Sequence, residues 1–204
     1  MELMASTLFP TLVWTAVVDN RESLNAHLEA AAYRLREKDR TGVANTNMAG
    51  WQSRDNLQDQ PEFSDFLTGI LQIARQIGES QNYLPDAVYR LQAWVNINPP
   101  SAWNQVHIHP DCHLSGCYYV RTPPDCGGIY FRDPRKLGLM TRPPIGRETH
   151  FTATEARMRP EAGRLYVFPS WLEHGVEPNR GSSERISIAF NVQALPPRQA
   201  AAGA

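Results

Sequence analysis

The chain has 204 residues, 42% of them hydrophobic, with 20 basic and 21 acidic side chains and a net charge of −1. That length suits one well-buried core rather than two, so residues 1–204 are expected to form a single domain. The two signs of charge are interspersed without a long basic run, which argues against a nucleic-acid or anionic-membrane partner and leaves a small or proteinaceous one.

The segment Met1 to Val18 has no basic leading region and is interrupted by Pro10, and no window approaches the roughly 20 apolar residues of a membrane span, so an unexported soluble chain is expected. Within this segment, Leu8 to Val18 is apolar enough for an edge strand that Pro10 delays. From Asn20, a helix N-cap candidate, Leu24, Leu28, Ala31, Ala32 and Leu35 recur at helical spacing before a polar run and Gly42. Residues 41–60 are rich in Asn, Gly, Ser and Asp around Trp51 and read as a long connection, of a length that is uncommon without a role. A second amphipathic helix is predicted from about Pro61 to Gly78, with Phe63, Phe66, Ile70, Ile73 and Ile77 along one face.

From Ala87 the period changes to two. Tyr89, Leu91, Ala93, Val95 and Ile97 alternate with Arg90, Gln92, Trp94, Asn96 and Asn98 until Pro99-Pro100 ends the run. Further strands are predicted at 105–109, 114–121, 128–131, 149–154, 164–168, 175–178 and 185–193, separated by Pro/Gly/Asp turns. The expected fold is mainly β with N-terminal helices: a helical buttress over about 19–80, a double-sheet jelly-roll core over about 87–193, and a frayed tail at 194–204.

The chemistry sits on this scaffold. Residues i and i+2 of a strand share a face, so His107 and His109 can meet one metal while Ile108 points away into an apolar layer. His174, after the apolar run Phe168 to Glu173, can bring a third nitrogen across the barrel. Pro110 bends the chain, which leaves Asp111 free to continue toward the site or to leave it. Downstream, Ile186, Ile188 and Phe190 alternate with Arg185, Ser187, Ala189 and Asn191, and a polar face carrying arginine, serine and asparagine is expected either outside the protein or inside a pocket that binds a carboxylate. His27, His113 and His150 read as surface residues, and Trp94, Trp103 and Trp171 as core. Cys112, Cys117 and Cys126 form an odd set without zinc-like pairing, which suits a reducing cytoplasm.

Together, Trp94-Val95-Asn96-Ile97-Asn98-Pro99, His107-Ile108-His109-Pro110, Ser115-Gly116-Cys117-Tyr118-Tyr119, Phe131-Arg132-Asp133-Pro134-Arg135, Phe168-Pro169-Ser170-Trp171-Leu172-Glu173-His174 and Arg185-Ile186-Ser187 resemble the 2-oxoglutarate/iron(II)-dependent dioxygenases of double-stranded β-helix fold. With Asn47 to Ser53, they look like an uncharacterised bacterial and phage branch of that superfamily. The resemblance implies iron(II) held by His107, His109 and His174, or by His109, Asp111 and His174, since the common second ligand is a carboxylate. It further implies 2-oxoglutarate chelated to the metal, with its far carboxylate on Arg185 and with Ser187, Tyr119 and Asn98 as polar partners. Trp103, Asn96 and Trp51 would wall the substrate side. The implied reaction is hydroxylation of a small molecule or protein side chain with release of succinate and CO2. Two other readings stay open: a cupin-like three-histidine dioxygenase that uses no keto acid, and a non-enzymatic jelly-roll binding module. Dimerisation through the two helices is open as well.

Overall fold

The computed structural model describes residues 2–135 and 139–197. Strand β1 (Trp14–Val17) and helix α1 (Arg21–Lys38) come first, followed by two short strands, β2 (Asn47–Met48) and β3 (Trp51–Gln52), two 3-10 turns and helix α2 (Ser64–Ser80). The rest is β: β4 (Val88–Asn98), β5 (Trp103–His107), β6 (Leu114–Arg121), β7 (Ile129–Arg132), β8 (Glu155–Arg157), β9 (Arg164–Pro169), β10 (His174–Val176) and β11 (Arg185–Leu195). These strands make a major sheet ordered β1-β9-β6-β11-β4-β3 and a minor sheet ordered β2-β5-β10-β7-β8. The interleaved antiparallel order is the jelly roll expected from the strand spacing, in the double-stranded β-helix form that the resemblance implies.

Alternation decides which face each side chain takes. Ala93, Val95 and Ile97 of β4, Tyr118 and Val120 of β6, Leu165 and Val167 of β9, and Ile186, Ile188, Phe190 and Val192 of β11 form one cluster with Leu28, Ala31 and Ala32 of α1 and Phe66, Leu67, Ile70, Ala74 and Ile77 of α2. The two helices therefore cover the outer face of the major sheet, where burying each such side chain is worth about 1.5–3 kcal/mol. Polar ties fix α1 in place: Tyr118 donates to Asn25 at 2.6 Å, Arg121 to Glu29 at 2.8 Å and Arg36 to Glu184 at 2.6 Å. Gly116 keeps this face flat beneath Phe190, for a Cβ there would lie 2.3 Å from the Phe190 ring.

Several expectations shift by physical causes. The first strand starts only at Trp14, after Pro10, which has no N–H to give a ladder. Asn20 precedes α1 in the left-handed region, at φ 54°, and its side chain caps no helical N–H. The strand predicted at 149–154 is instead a turn closed by Thr152 and Ala153 N–H on the Thr149 carbonyl, with the Thr152 hydroxyl accepting from Thr149 N–H; the strand follows at 155–157. The last strand runs on to Leu195, paired with Val88, while residues 198–204 of the expected frayed tail lie outside the described residues.

The connection 41–60 is tied down at both ends of its width. β2 pairs with β5 of the minor sheet and β3 with β4 of the major sheet, and only Ala49 and Gly50 stand between them. Ala49 takes φ 57°, a left-handed conformation that is uncommon for a residue with a Cβ.

Candidate metal and co-substrate site

The inner face of the major sheet and the inner face of the minor sheet enclose a cavity lined by both polar and apolar side chains. His174 is the cross-strand partner of His107, so pairing of β10 with β5 sets two imidazoles side by side. His109 lies just past the end of β5, where its N–H donates to the Ser170 carbonyl at 3.0 Å and holds the chain against the β9–β10 turn. The ring centroids are 4.3 Å apart for His107 and His174, 4.7 Å for His107 and His109, and 5.2 Å for His109 and His174. One ligand nitrogen from each of the three lies within 4.8 Å of the others.

The nitrogens that remain are oriented from outside. Nδ1 of His107 bonds the Gln105 carbonyl at 2.7 Å and Nδ1 of His174 bonds the Leu172 carbonyl at 2.9 Å. A carbonyl only accepts, so each Nδ1 carries the proton and each Nε2 keeps its lone pair for a metal. Burial pushes all three histidines down, His109 to about 4 and His174 to about 3, the latter two pressed further by their neighbours' charge. They are neutral near pH 7, the form that coordinates. Phe168 and Phe131 pack beside His174, with ring centroids at 4.6 and 6.3 Å, and make that wall apolar.

Asp111 does not join the cluster. It sits exposed in the turn after His109, at φ 64°, and its backbone carbonyl accepts from the Gln193 side chain at 2.7 Å. Pro110 turns the chain out at this point. Ile108, expected in an apolar layer, is 45% exposed, because β5 has already ended at His107 and no sheet lies beneath it.

On the opposite wall, Arg185 of β11 is only 1% exposed. Its Nη1 donates to the carbonyls of Cys126, of Gly127 at 2.9 Å and of Glu177 at 3.3 Å. Its Nε and Nη2 have no partner although both are buried. Burial lowers the Arg185 pKa, and nearby Tyr119, Cys126 and Cys117 act against that loss. Ser187 and Tyr119 are cross-strand partners and both line the cavity. The Tyr119 oxygen accepts from Ile129 N–H at 2.9 Å, and burial holds the phenol well above its usual pKa, so it keeps a proton to donate. Asn98 and Asn96 lie opposite Arg185 and Ser187 on β4; the Asn98 amide and the Asn96 Oδ1 are buried without partners.

A guanidinium edge, a protonated phenol and a hydroxyl converging opposite three neutral imidazoles fit a divalent metal and a dicarboxylic keto acid spanning the cavity. Two orphaned N–H groups on one planar edge match the two oxygens of a carboxylate, and burying them unpaired would cost about 1–3 kcal/mol each or more.

The tryptophans divide differently from the expectation, and Trp171, expected in the core, is 55% exposed. Trp51 is buried in the helix-side core, with its indole N–H donating to the Asp39 carbonyl at 2.8 Å, so it lies on the far side of the major sheet from the cavity. Trp103 opens β5 opposite Met48 and does not line the cavity. Trp94 does, with its ring 5.8 Å from that of His109. The β4 alternation carried that signal, since Trp94 shares parity with Asn96 and Asn98. Thr46, Asn104 and Cys117 also line the cavity, and burial raises the Cys117 thiol to about 12. His27, His113 and His150 are on the surface as expected.

Residues 92–191 match the model of a family described as "Putative 2OG-Fe(II) oxygenase". No curated protein matches the chain. Among solved structures, a prolyl-4-hydroxylase of Pseudomonas putida aligns at 17% identity over 90% of this chain and 92% of that one, with a TM-score of 0.65. SnoK, a non-heme alpha-ketoglutarate-dependent carbocyclase from nogalamycin biosynthesis, aligns at 14% identity over 91% and 80%, with a TM-score of 0.67. HygX of Streptomyces hygroscopicus, solved with nickel, 2-oxoglutarate and hygromycin B, aligns at 12% identity over 90% and 83%, with a TM-score of 0.62. At these identities the likeness is one of fold.

Proposed function

We propose, from the match of residues 92–191 to the 2OG-Fe(II) oxygenase model, that this chain is an oxygenase of that kind, in which His107, His109 and His174 hold iron(II) while Arg185, Ser187 and Tyr119 hold the far carboxylate of 2-oxoglutarate. Bound there, the iron and the keto acid supply oxidising chemistry in which dioxygen is consumed, 2-oxoglutarate becomes succinate and CO2, and a substrate C–H bond is hydroxylated. The chain's own residues bind, orient and keep dry. The Nε/Nη2 edge of Arg185 takes both oxygens of the carboxylate, and Tyr119 donates its phenol proton to the same group. Asn98 and Asn96 supply unpaired amide atoms from β4 toward the co-substrate. Phe131 and Phe168 keep water from the back of His174, and Trp94 stands over His109 on the substrate side. The substrate is an unidentified small molecule or protein side chain. One domain and a reducing cytoplasm fit the continuous helix-sheet core and the three free cysteines, and no described helix is long and apolar enough to cross a membrane.

The observation that carries this reading is the buried Arg185 edge with nothing to bond. A three-nitrogen metal set also suits a cupin-type dioxygenase that uses no keto acid, and that second reading gives the Arg185 edge no ligand. The test is an anaerobic titration of the iron(II)-loaded protein with 2-oxoglutarate, followed by the visible charge-transfer band of a chelated keto acid. A saturable band that weakens in Arg185→Gln is expected. Stoichiometric iron without any band would transfer the assignment to the keto-acid-free chemistry.

A further inference from the structure

Two of the three imidazoles are oriented by backbone, and the third is not. His107 and His174 each direct Nδ1 at a main-chain carbonyl, whereas Nδ1 of His109 lies 3.3 Å from the side-chain amide of Asn191 on β11. Behind that amide the other end of Asn191 is 2.7 Å from Ser115 Oγ, and Ser115 Oγ is 3.0 Å from Ser170 Oγ. Ser115 and Ser170 are each 1% exposed, so no solvent substitutes for these partners. The chain closes on itself, because the Ser170 carbonyl receives the N–H of His109.

The amide can face His109 in two ways, and the two have opposite consequences for metal binding. With its nitrogen toward His109, the orientation in which the amide is drawn although its two ends exchange by a half-turn, Asn191 donates to Nδ1, which places the imidazole proton on Nε2, the only nitrogen left to meet a metal. With its oxygen toward His109, Asn191 accepts the Nδ1 proton and leaves the Nε2 lone pair free. Either arrangement satisfies both hydroxyls, with Ser170 donating to Ser115 and Ser115 to Asn191 Oδ1 in the first, or Asn191 Nδ2 donating to Ser115 and Ser115 to Ser170 in the second, so the choice rests on His109: only the second leaves its Nε2 unprotonated for a metal.

We infer that Asn191 is the positioning residue of the metal centre: its amide oxygen accepts the Nδ1 proton of His109, and the Ser115–Ser170 pair holds the amide in that orientation. This rests on His109 being a ligand. Its consequence is that the ligand standing where the family's common carboxylate would be is the one whose readiness to coordinate depends on a side chain, and a side chain borne by the major sheet.

The test measures cobalt(II) affinity by its visible absorption in the intact protein, in wild type, Asn191→Asp, Asn191→Leu and His109→Ala. Asn191→Leu, which offers no acceptor, is expected to weaken cobalt binding by about 10- to 100-fold, as loss of such partners typically does. Asn191→Asp, which can only accept, is expected to restore wild-type affinity or better, an outcome that a packing role for Asn191 would not produce. Asn191→Leu binding within about twofold of wild type, while His109→Ala has lost affinity, would overturn the inference alone. Unchanged binding in His109→Ala would instead remove His109 from the ligand set. Should Asn191→Leu fail to fold, long-range 1H–15N spectra of the metal-free wild-type protein decide the matter: a proton on Nδ1 of His109 supports the inference, and a proton on Nε2 refutes it.

Discussion

The two faces of β11 differ in what they leave unfinished. On the helix side, Ile186, Ile188, Phe190 and Val192 are buried among side chains of α1, α2 and the neighbouring strands, and every contact they need is supplied from within the chain. On the cavity side, Arg185 and its partners on β4 leave five buried nitrogen and oxygen atoms unpaired, all belonging to Asn96, Asn98 and Arg185. One strand thus serves stability with its even-numbered residues and, in the proposed reading, ligand binding with its odd-numbered ones. The difference teaches that a sheet can carry an energetically incomplete face as long as the opposite face over-determines the strand's position.

Changes on the two faces should therefore fail in different ways. The largest effect is expected for His174→Ala, which removes a proposed metal ligand from the cavity side: iron content measured after reconstitution should fall to background while circular dichroism stays that of the folded protein. Joint loss of iron and fold would mean that the faces are not separable. Ile188→Ala is the converse. It should cost about 2–5 kcal/mol in urea unfolding, in the range of large-to-small core substitutions, with unaltered 2-oxoglutarate affinity in the protein that remains folded.

Acid should sharpen the contrast more gently. Because His109 and His174 titrate in the fold at about 4 and about 3, below the roughly 6.5 of an unfolded histidine, the unfolded chain takes up their protons first. Their contribution to metal-free stability is complete above about pH 6.5 and declines as pH falls toward those values, by up to about 1.4 kcal/mol per unit for each. Urea midpoints between pH 7 and 5 should show a shallower slope in His174→Ala than in wild type, and equal slopes would count against it. Smallest are two changes remote from the centre. Trp51→Phe should cost about 1 kcal/mol through its lost bond to the Asp39 carbonyl, and Asp111→Ala should leave iron affinity within about twofold, read by the same titrations.

Periodicity made the sheet faces legible in the sequence. The strand at 114–121 is found as expected, and alternation along 88–98 and 185–193 assigns each residue to the side it occupies. Histidine spacing brought His107, His109 and His174 into consideration, but the decision between His109 and Asp111 as the middle member needed the turn at Pro110, which no local pattern specifies. Trp51 was misread for a related reason. The resemblance places it on the substrate side, whereas the short ladder of β3 with β4 turns it inward toward the helices. The turn at 149–152 looked like a strand because threonine favours strands, yet the same hydroxyls bond locally and close a turn. Asn191 carried no sequence signal beyond its parity, since its contact with His109 joins segments far apart in the chain.

The pair β2 and β3 has a consequence for molecular recognition. One belongs to the minor sheet, which carries His107 and His174, and the other to the major sheet, which carries Arg185, and two residues join them. The layers of the sandwich cannot slip past each other by a register step without tearing that seam. The distance from the imidazole cluster to the guanidinium edge is then a fixed gauge rather than an adjustable one, and a keto diacid one methylene shorter than 2-oxoglutarate would reach one end of it at the expense of the other.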